Sequence, residues 1–148
     1  MRTVTTYLPS LFNPSTYSST LKTAEKSIKR WERNNAFDTI AFTGISGAGV
    51  AFPLANRLFK GLICVRKELN SCHSKHKVEG QIGAKHYIIV DDFVETGNTI
   101  FTIVKEINLA YEKYCHPRTF GPPICVGVYL YDTNSWNKPE YPLIPRLE

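Results

Sequence analysis

Apolar positions recur along the chain at two different spacings, and the alternation between them predicts the architecture. Between residues 15 and 34, Leu21, Ala24, Ile28 and Trp31 fall at i, i+3, i+7 and i+10, the stripe of an amphipathic helix. Ile100, Val104, Ile107, Tyr111 and Tyr114 mark a second long helix. Short apolar runs at 38–43, 62–65, 87–90 and 124–130 read as strands. Residues from about 49 to 60 read as a further helix, with Pro53 tolerable only in its first turn, where its missing amide does no harm. Residues 68–83 are polar and irregular, and the tail from 131 carries three prolines.

Strands alternating with helices predict an α/β fold built on a parallel twisted sheet flanked by helices. The strands are continuous apolar runs, as expected when both sheet faces are covered. One domain is expected over 1–148, with its core at about 36–131. The flanks, 1–35 and 132–148, are left to form a small hood or oligomer contacts. Ligands of such sheets bind beyond the carboxyl ends of the strands. Two glycine-bearing turns, 44–49 and 96–99, and the adjacent Asp91 and Asp92 fall at such ends, which predicts that they share one crevice.

Composition narrows the class. Apolar residues make up 43% and charged residues 21%, as in ordinary globular domains. No apolar run approaches the roughly 20 residues of a membrane span, and the N-terminus lacks the layout of a secretory signal. Cys64, Cys72, Cys115 and Cys125 are scattered without a paired spacing, so a reduced, cytoplasmic protein without a zinc site or a membrane partner is expected. The net charge of +5 suits an anionic partner, either a phosphorylated small molecule or nucleic acid. Positive residues gather at 22–33, where a solvated helix face is the simplest account, and again at 66–85.

The densest chemistry lies in Tyr87–Thr99, YIIVDDFVETGNT. Thr96, Gly97, Asn98 and Thr99 stand between a strand end and a helix start, where unpaired amides and the helix dipole favour a phosphate. An ordinary N-cap is the alternative. Adjacent carboxylates beside a phosphate cradle would repel unless a ligand brings hydroxyl donors or a cation. A ribose 5-phosphate supplies the hydroxyls, and a Mg²⁺ ion could share the same acids.

This stretch resembles the phosphoribosyl-pyrophosphate (PRPP) motif of the type I phosphoribosyltransferases. Upstream, Asp38-Thr-Ile-Ala, Ser46-Gly47, Leu54-Ala55, Leu58, Gly61 and Val65-Arg66-Lys67 are similar to the adenine enzymes. The spacing from Arg66 to Asp91, including Gly80, is similar to the orotate enzymes. The resemblance implies a Mg²⁺-dependent transferase of nucleotide metabolism. It would join PRPP to a nucleobase and release pyrophosphate, acting as a homodimer or higher homo-oligomer. A purine base, and so purine salvage, is favoured. Orotate is the alternative, as is a PRPP-sensing regulator or nucleic-acid binder on the same fold.

Carried onto this chain, the resemblance implies that Asp91 and Asp92 hold the ribose hydroxyls and the metal. Thr96, Gly97, Asn98 and Thr99 would hold the 5-phosphate, with Val94 and Glu95 also in the PRPP site. Thr43, Gly44, Ile45, Ser46 and Gly47 would form the pyrophosphate loop, in which the family often uses a strained non-proline cis peptide. Gly44, Ile45 and Ser46 stand where the adenine enzymes carry an acid, a small residue and an arginine. Arg66 and Lys67 would meet pyrophosphate, with Lys67 catalytic. Glu95 occupies the place where 6-oxopurine enzymes carry an aspartate, and could act as acid or base toward the ring nitrogen. Lys75, His76 and Lys77 would belong to a mobile loop closing over the leaving group, the alternative being a solvated loop. Trp136 is a candidate for stacking on the base, in competition with Tyr129 and Tyr131 and with a plain core role.

Overall fold

The computed structural model of the protein describes residues 6–67, 75–115 and 121–138. A single helical turn, α1 (Pro9–Phe12), precedes the first long helix, α2 (Pro14–Glu32). The Asn13 side chain accepts from the Ser15 amide, and Pro14 occupies a first-turn position where no donor is lost. Leu21, Ala24 and Ile28 are buried, as their spacing predicts. They pack into the core beside the sheet, so α2 forms a core layer where residues 1–35 were expected to contribute to a hood.

Strand β1 (Thr39–Thr43) passes directly into α3 (Gly44–Leu58). The expected turn at 44–49 is therefore the start of the helix, and Pro53 lies in the helix interior. A proline there deprives the Gly49 carbonyl of its intrahelical donor. The Tyr17 hydroxyl of α2 donates to that carbonyl at 2.5 Å. The repair comes from another element, which is why local sequence could not foresee it.

The remaining elements are β2 (Gly61–Val65), β3 (Val78–Gly80), β4 (His86–Asp91), α4 (Asn98–Tyr114), β5 (Ile124–Leu130) and β6 (Ser135–Asn137). They complete a six-stranded sheet of order β3-β2-β1-β4-β5-β6. The inner strands β2, β1, β4 and β5 pair in parallel. The edges β3 and β6 run antiparallel, so the sheet is mixed. Strand β3 falls inside the stretch read as irregular, because three residues show no periodicity; the pairing Cys64↔Glu79 and an Arg66–Glu79 ion pair at 2.8 Å hold it. The part of that stretch at 68–74, and the tail from 139, lie outside the described residues.

Alternate strand residues serve the two faces. Ile40, Phe42, Ile88, Val90 and Tyr129 face α2 and α3, whereas Ala41, Ile63, Val65, Tyr87, Ile89 and Val128 face α4. Cys125 is buried in the second cluster and behaves as the expected small hydrophobe. On β5, Gly127 makes room for an indole pair: a Cβ there would lie 2.7 Å from Trp31. Trp31 and Trp136 stack at 4.3 Å between centroids and 3° between planes. None of the helices described is long and apolar enough to cross a membrane.

Candidate active site

Strand β4 ends on Asp91, and the crevice opens there. Its floor is made by Asp91, Asp92 and Ser46; Lys67 and Tyr7 line it from other segments. The β4–α4 turn supplies Phe93, Val94, Glu95, Thr96, Gly97, Thr99 and Ile100. The acid pair and the 96–99 turn thus meet beyond the carboxyl ends of the strands, as the pattern predicts, whereas of the 44–49 stretch only Ser46 lines the crevice.

Both aspartates are buried, at 5% and 6% exposure, without a cation in the ion pairs of the described residues. The Ser46 hydroxyl donates to Asp91 Oδ1 at 3.1 Å, and the Asp92 amide donates to the same oxygen at 3.0 Å. The Tyr131 hydroxyl in turn donates to the Ser46 carbonyl at 2.8 Å. This chain of bonds ties the start of α3 to the ends of β4 and β5. Burial, reinforced by the neighbouring Asp92, pushes the Asp91 carboxyl up to about 6. Burial and the charge of Asp92 also raise Asp132, whose amide donates to the Asp92 carbonyl at 3.2 Å. A site that holds carboxylates dry and close together is electrostatically unsatisfied by the chain alone. It fits a ligand that brings hydroxyl donors or a cation.

The phosphate end is equally specific. Gly97 is the N-cap of α4, at φ +79°, a conformation glycine adopts freely. Gly97 supplies no side-chain cap, so neither Thr96 nor Asn98 stands at the N-cap position itself. The Asn98 amide reaches the Thr96 hydroxyl at 3.3 Å, and the Phe101 amide makes the first intrahelical bond, to the Gly97 carbonyl at 2.9 Å. The amides of Thr99 and Ile100 are left without a partner among the described residues. A Cβ on Gly97 would meet nothing within 4 Å, so the space above it is open to a ligand.

Lys67 lies across the start of α3: a Cβ on Gly44 would come within 3.3 Å of its Nζ. Gly44 itself is at φ +62°, and the peptide bonds of the described residues are all trans, so the expected cis bond is absent. Thr43 is buried and donates to the Val65 carbonyl at 2.6 Å, and Gly47 packs against Phe42 and the Val90 carbonyl. These two shape the loop rather than line the crevice. Ile45 points outward at 68% exposure.

Other expected ligand contacts fall elsewhere. Arg66 turns to Glu79 on β3 instead of the crevice, because consecutive residues leaving a strand point to opposite sides. Lys75 is exposed; His76 packs edge-on against Tyr114 of α4, its Nδ1 3.1 Å from the hydroxyl; and Lys77 donates to the Lys67 carbonyl at 3.1 Å. Trp136 belongs to the core, with its indole N–H donating to Ser27 at 3.1 Å. Tyr129 and Tyr131 are buried, so none of the three presents a ring to the crevice. The aromatics that do line it, Tyr7 and Phe93, were not singled out in the sequence, nor were Asp132 and the Tyr131 bond. Asp132 follows an apolar run just as Asp91 does, which is the one signal that could have found it.

No protein-family model matches the chain, and no curated protein matches it. Solved structures do. An orotate phosphoribosyltransferase from Aeropyrum pernix superposes with a TM-score of 0.63 at 20% identity, over 86% of this chain and 64% of that one. A phosphoribosyltransferase from Corynebacterium diphtheriae gives 0.55 at 19% identity, over 82% and 68%. The orotate phosphoribosyltransferase of Mycobacterium tuberculosis H37Rv, in complex with PRPP, gives 0.53 at 16% identity, over 77% and 60%. This chain therefore spans less than two thirds of the Aeropyrum protein. The likeness establishes that the chain has the fold of the phosphoribosyltransferases.

Proposed function

We propose that the protein transfers the ribose 5-phosphate of PRPP to a nucleobase and releases pyrophosphate. One observation carries this reading: two buried aspartates share a crevice with an uncapped helix start and with Lys67. The ribose hydroxyls would donate to Asp91 and Asp92. The 5-phosphate would take the Thr99 and Ile100 amides and the Thr96 and Thr99 hydroxyls, where the α4 dipole adds favourable potential. Lys67 would stand toward the pyrophosphate.

The donor set fits Mg²⁺ in one respect. Magnesium is usually held by one or two carboxylates plus substrate phosphates, and Asp91 and Asp92 offer that much. No group of three acidic, histidine or cysteine side chains able to hold a metal occurs among the described residues. Asp91 and Asp92 would hold the ion together with substrate oxygens, and when bound it would offset charge on the leaving pyrophosphate. The chain's own residues position the sugar, and Lys67 stabilises charge that grows as the glycosidic bond lengthens. Attack by the base nitrogen would invert the anomeric carbon.

Two bases remain in view, each on its own observation. Fold likeness to the orotate enzymes, with the Arg66–Asp91 spacing, supports orotate. Glu95, which lines the crevice and could exchange a proton with a purine nitrogen, supports a purine. Incubating the protein with PRPP, Mg²⁺ and a panel of orotate and purine bases, and measuring pyrophosphate and nucleotide, tests both. Pyrophosphate release that depends on one base class identifies the substrate. PRPP binding with no base consumed removes the transferase reading and leaves a PRPP sensor.

A further inference from the structure

Helix α2 carries a cationic stripe that the crevice does not use. Lys22, Lys26, Lys29, Arg30 and Arg33 line one shallow surface, opposite the buried Leu21, Ala24 and Ile28. Helical neighbours three or four apart touch, and like charges at those spacings are destabilising. This face holds Lys22–Lys26, Lys26–Lys29, Lys26–Arg30, Lys29–Arg33 and Arg30–Arg33. A single acid lies among them, Glu25, and it is already engaged by Lys29 at 2.8 Å and by Arg57 at 3.3 Å. Lys22, Lys26, Arg30 and Arg33 form no ion pair among the described residues. Cations at a helix C-terminus are favoured by the dipole, which accounts for Lys29 and Arg30 but not for Lys22 and Lys26 in mid-helix.

Nor does the stripe serve the crevice. Glu32, at the end of α2, pairs with Lys60 just before β2 begins, so this half of the helix lies at the amino ends of the strands. The crevice lies at their carboxyl ends. The repulsion is thus retained with no compensating gain inside the described chain, the mark of an external partner.

We propose that the α2 stripe docks the phosphate backbone of duplex nucleic acid without reading its sequence. Its length, about 16 Å from Lys22 to Arg33 at the helical rise, matches about five base pairs. The face carries no aromatic residue on which unpaired bases could stack, which selects duplex over single strand. It also carries no apolar residue to enter a bilayer, since the apolar stripe of α2 is spent in the core.

Binding of a fluorescent 20-base-pair duplex to the full chain, titrated from 50 to 200 mM salt, tests this. Neutralising about five phosphates predicts a log–log salt slope of about −4 to −5, a loss of about 500-fold across that range. Lys22→Gln with Lys26→Gln should weaken binding at 50 mM by at least about tenfold and reduce the slope by about 2. Lys105→Gln with Lys113→Gln, an equal charge change on α4, should leave binding nearly unchanged, and both variants should keep their PRPP-dependent turnover. Absent duplex binding, equal losses in the two variants, or tighter binding to anionic phosphatidylglycerol vesicles than to the duplex would overturn the proposal.

Discussion

Asp91 carries an electrostatic cost that the hydrogen bonds from Ser46 and the Asp92 amide offset only in part. Its carboxyl sits at about 6 against an ordinary 3.8, chiefly because it is buried. A raised carboxyl pKa means the fold prefers the protonated form. The stability it contributes is complete below about pH 3.8 and is lost as pH rises through 6, with a ceiling of about 3 kcal/mol. Asp91→Asn should therefore raise the melting temperature of the ligand-free protein by several degrees at pH 8 and change it little at pH 4. An equal shift at both values would show that Asp91 is not strained by burial. Glu95, by contrast, is exposed on the crevice wall. If it handles the proton of the base, Glu95→Gln should lower turnover by about 10² while PRPP affinity holds. Unchanged turnover would assign it to solvent. Thr96→Val with Thr99→Val should weaken ribose 5-phosphate by about tenfold or more, since each hydroxyl would bond a charged group. Calorimetric titration with ribose 5-phosphate reads that directly.

Helix α3 teaches the same lesson one level up. Its interior Pro53 orphans the Gly49 carbonyl, and Tyr17 on α2 satisfies it. Tyr17→Phe should cost about 1 kcal/mol in urea unfolding. In a Pro53→Ala background the cost should shrink, because the new amide can take the carbonyl; an undiminished cost would mean the bond does not serve that role. Local pattern located most elements because their apolar periods are long: the α2 stripe, the α4 stripe and the inner strands. It failed where the deciding contact was distant. The start of α3 and its tolerance of proline depend on Tyr17 and on the tie from Tyr131 to Ser46, 85 residues apart in sequence. Strands β3 and β6 were too short to announce themselves. Each is held by cross-strand pairing to a neighbour.

For the molecule as a whole, the acid pair and the phosphate turn of the crevice were legible because they are contiguous, within Tyr87–Thr99. Its walls were not. Tyr7 reaches it from the N-terminal segment, which carries no motif, and Phe93, although inside that run, offers no chemical signal of its own, whereas Arg66 and Trp136, which a motif or an aromatic plane commended, are drawn to Glu79 and to Trp31. Fold likeness places the chain among the phosphoribosyltransferase structures, while it spans 64% of the Aeropyrum chain. The ribose-phosphate cradle is the part the geometry supports best, and it can be tested without knowing the base. Calorimetric titration of PRPP with Mg²⁺ should show one site per chain. Affinity should fall by about 100-fold or more when Asp91→Asn and Asp92→Asn are combined, as expected for losing charged hydrogen-bond acceptors from a buried site. Absent binding, or equal affinity in the double variant, would contradict the account.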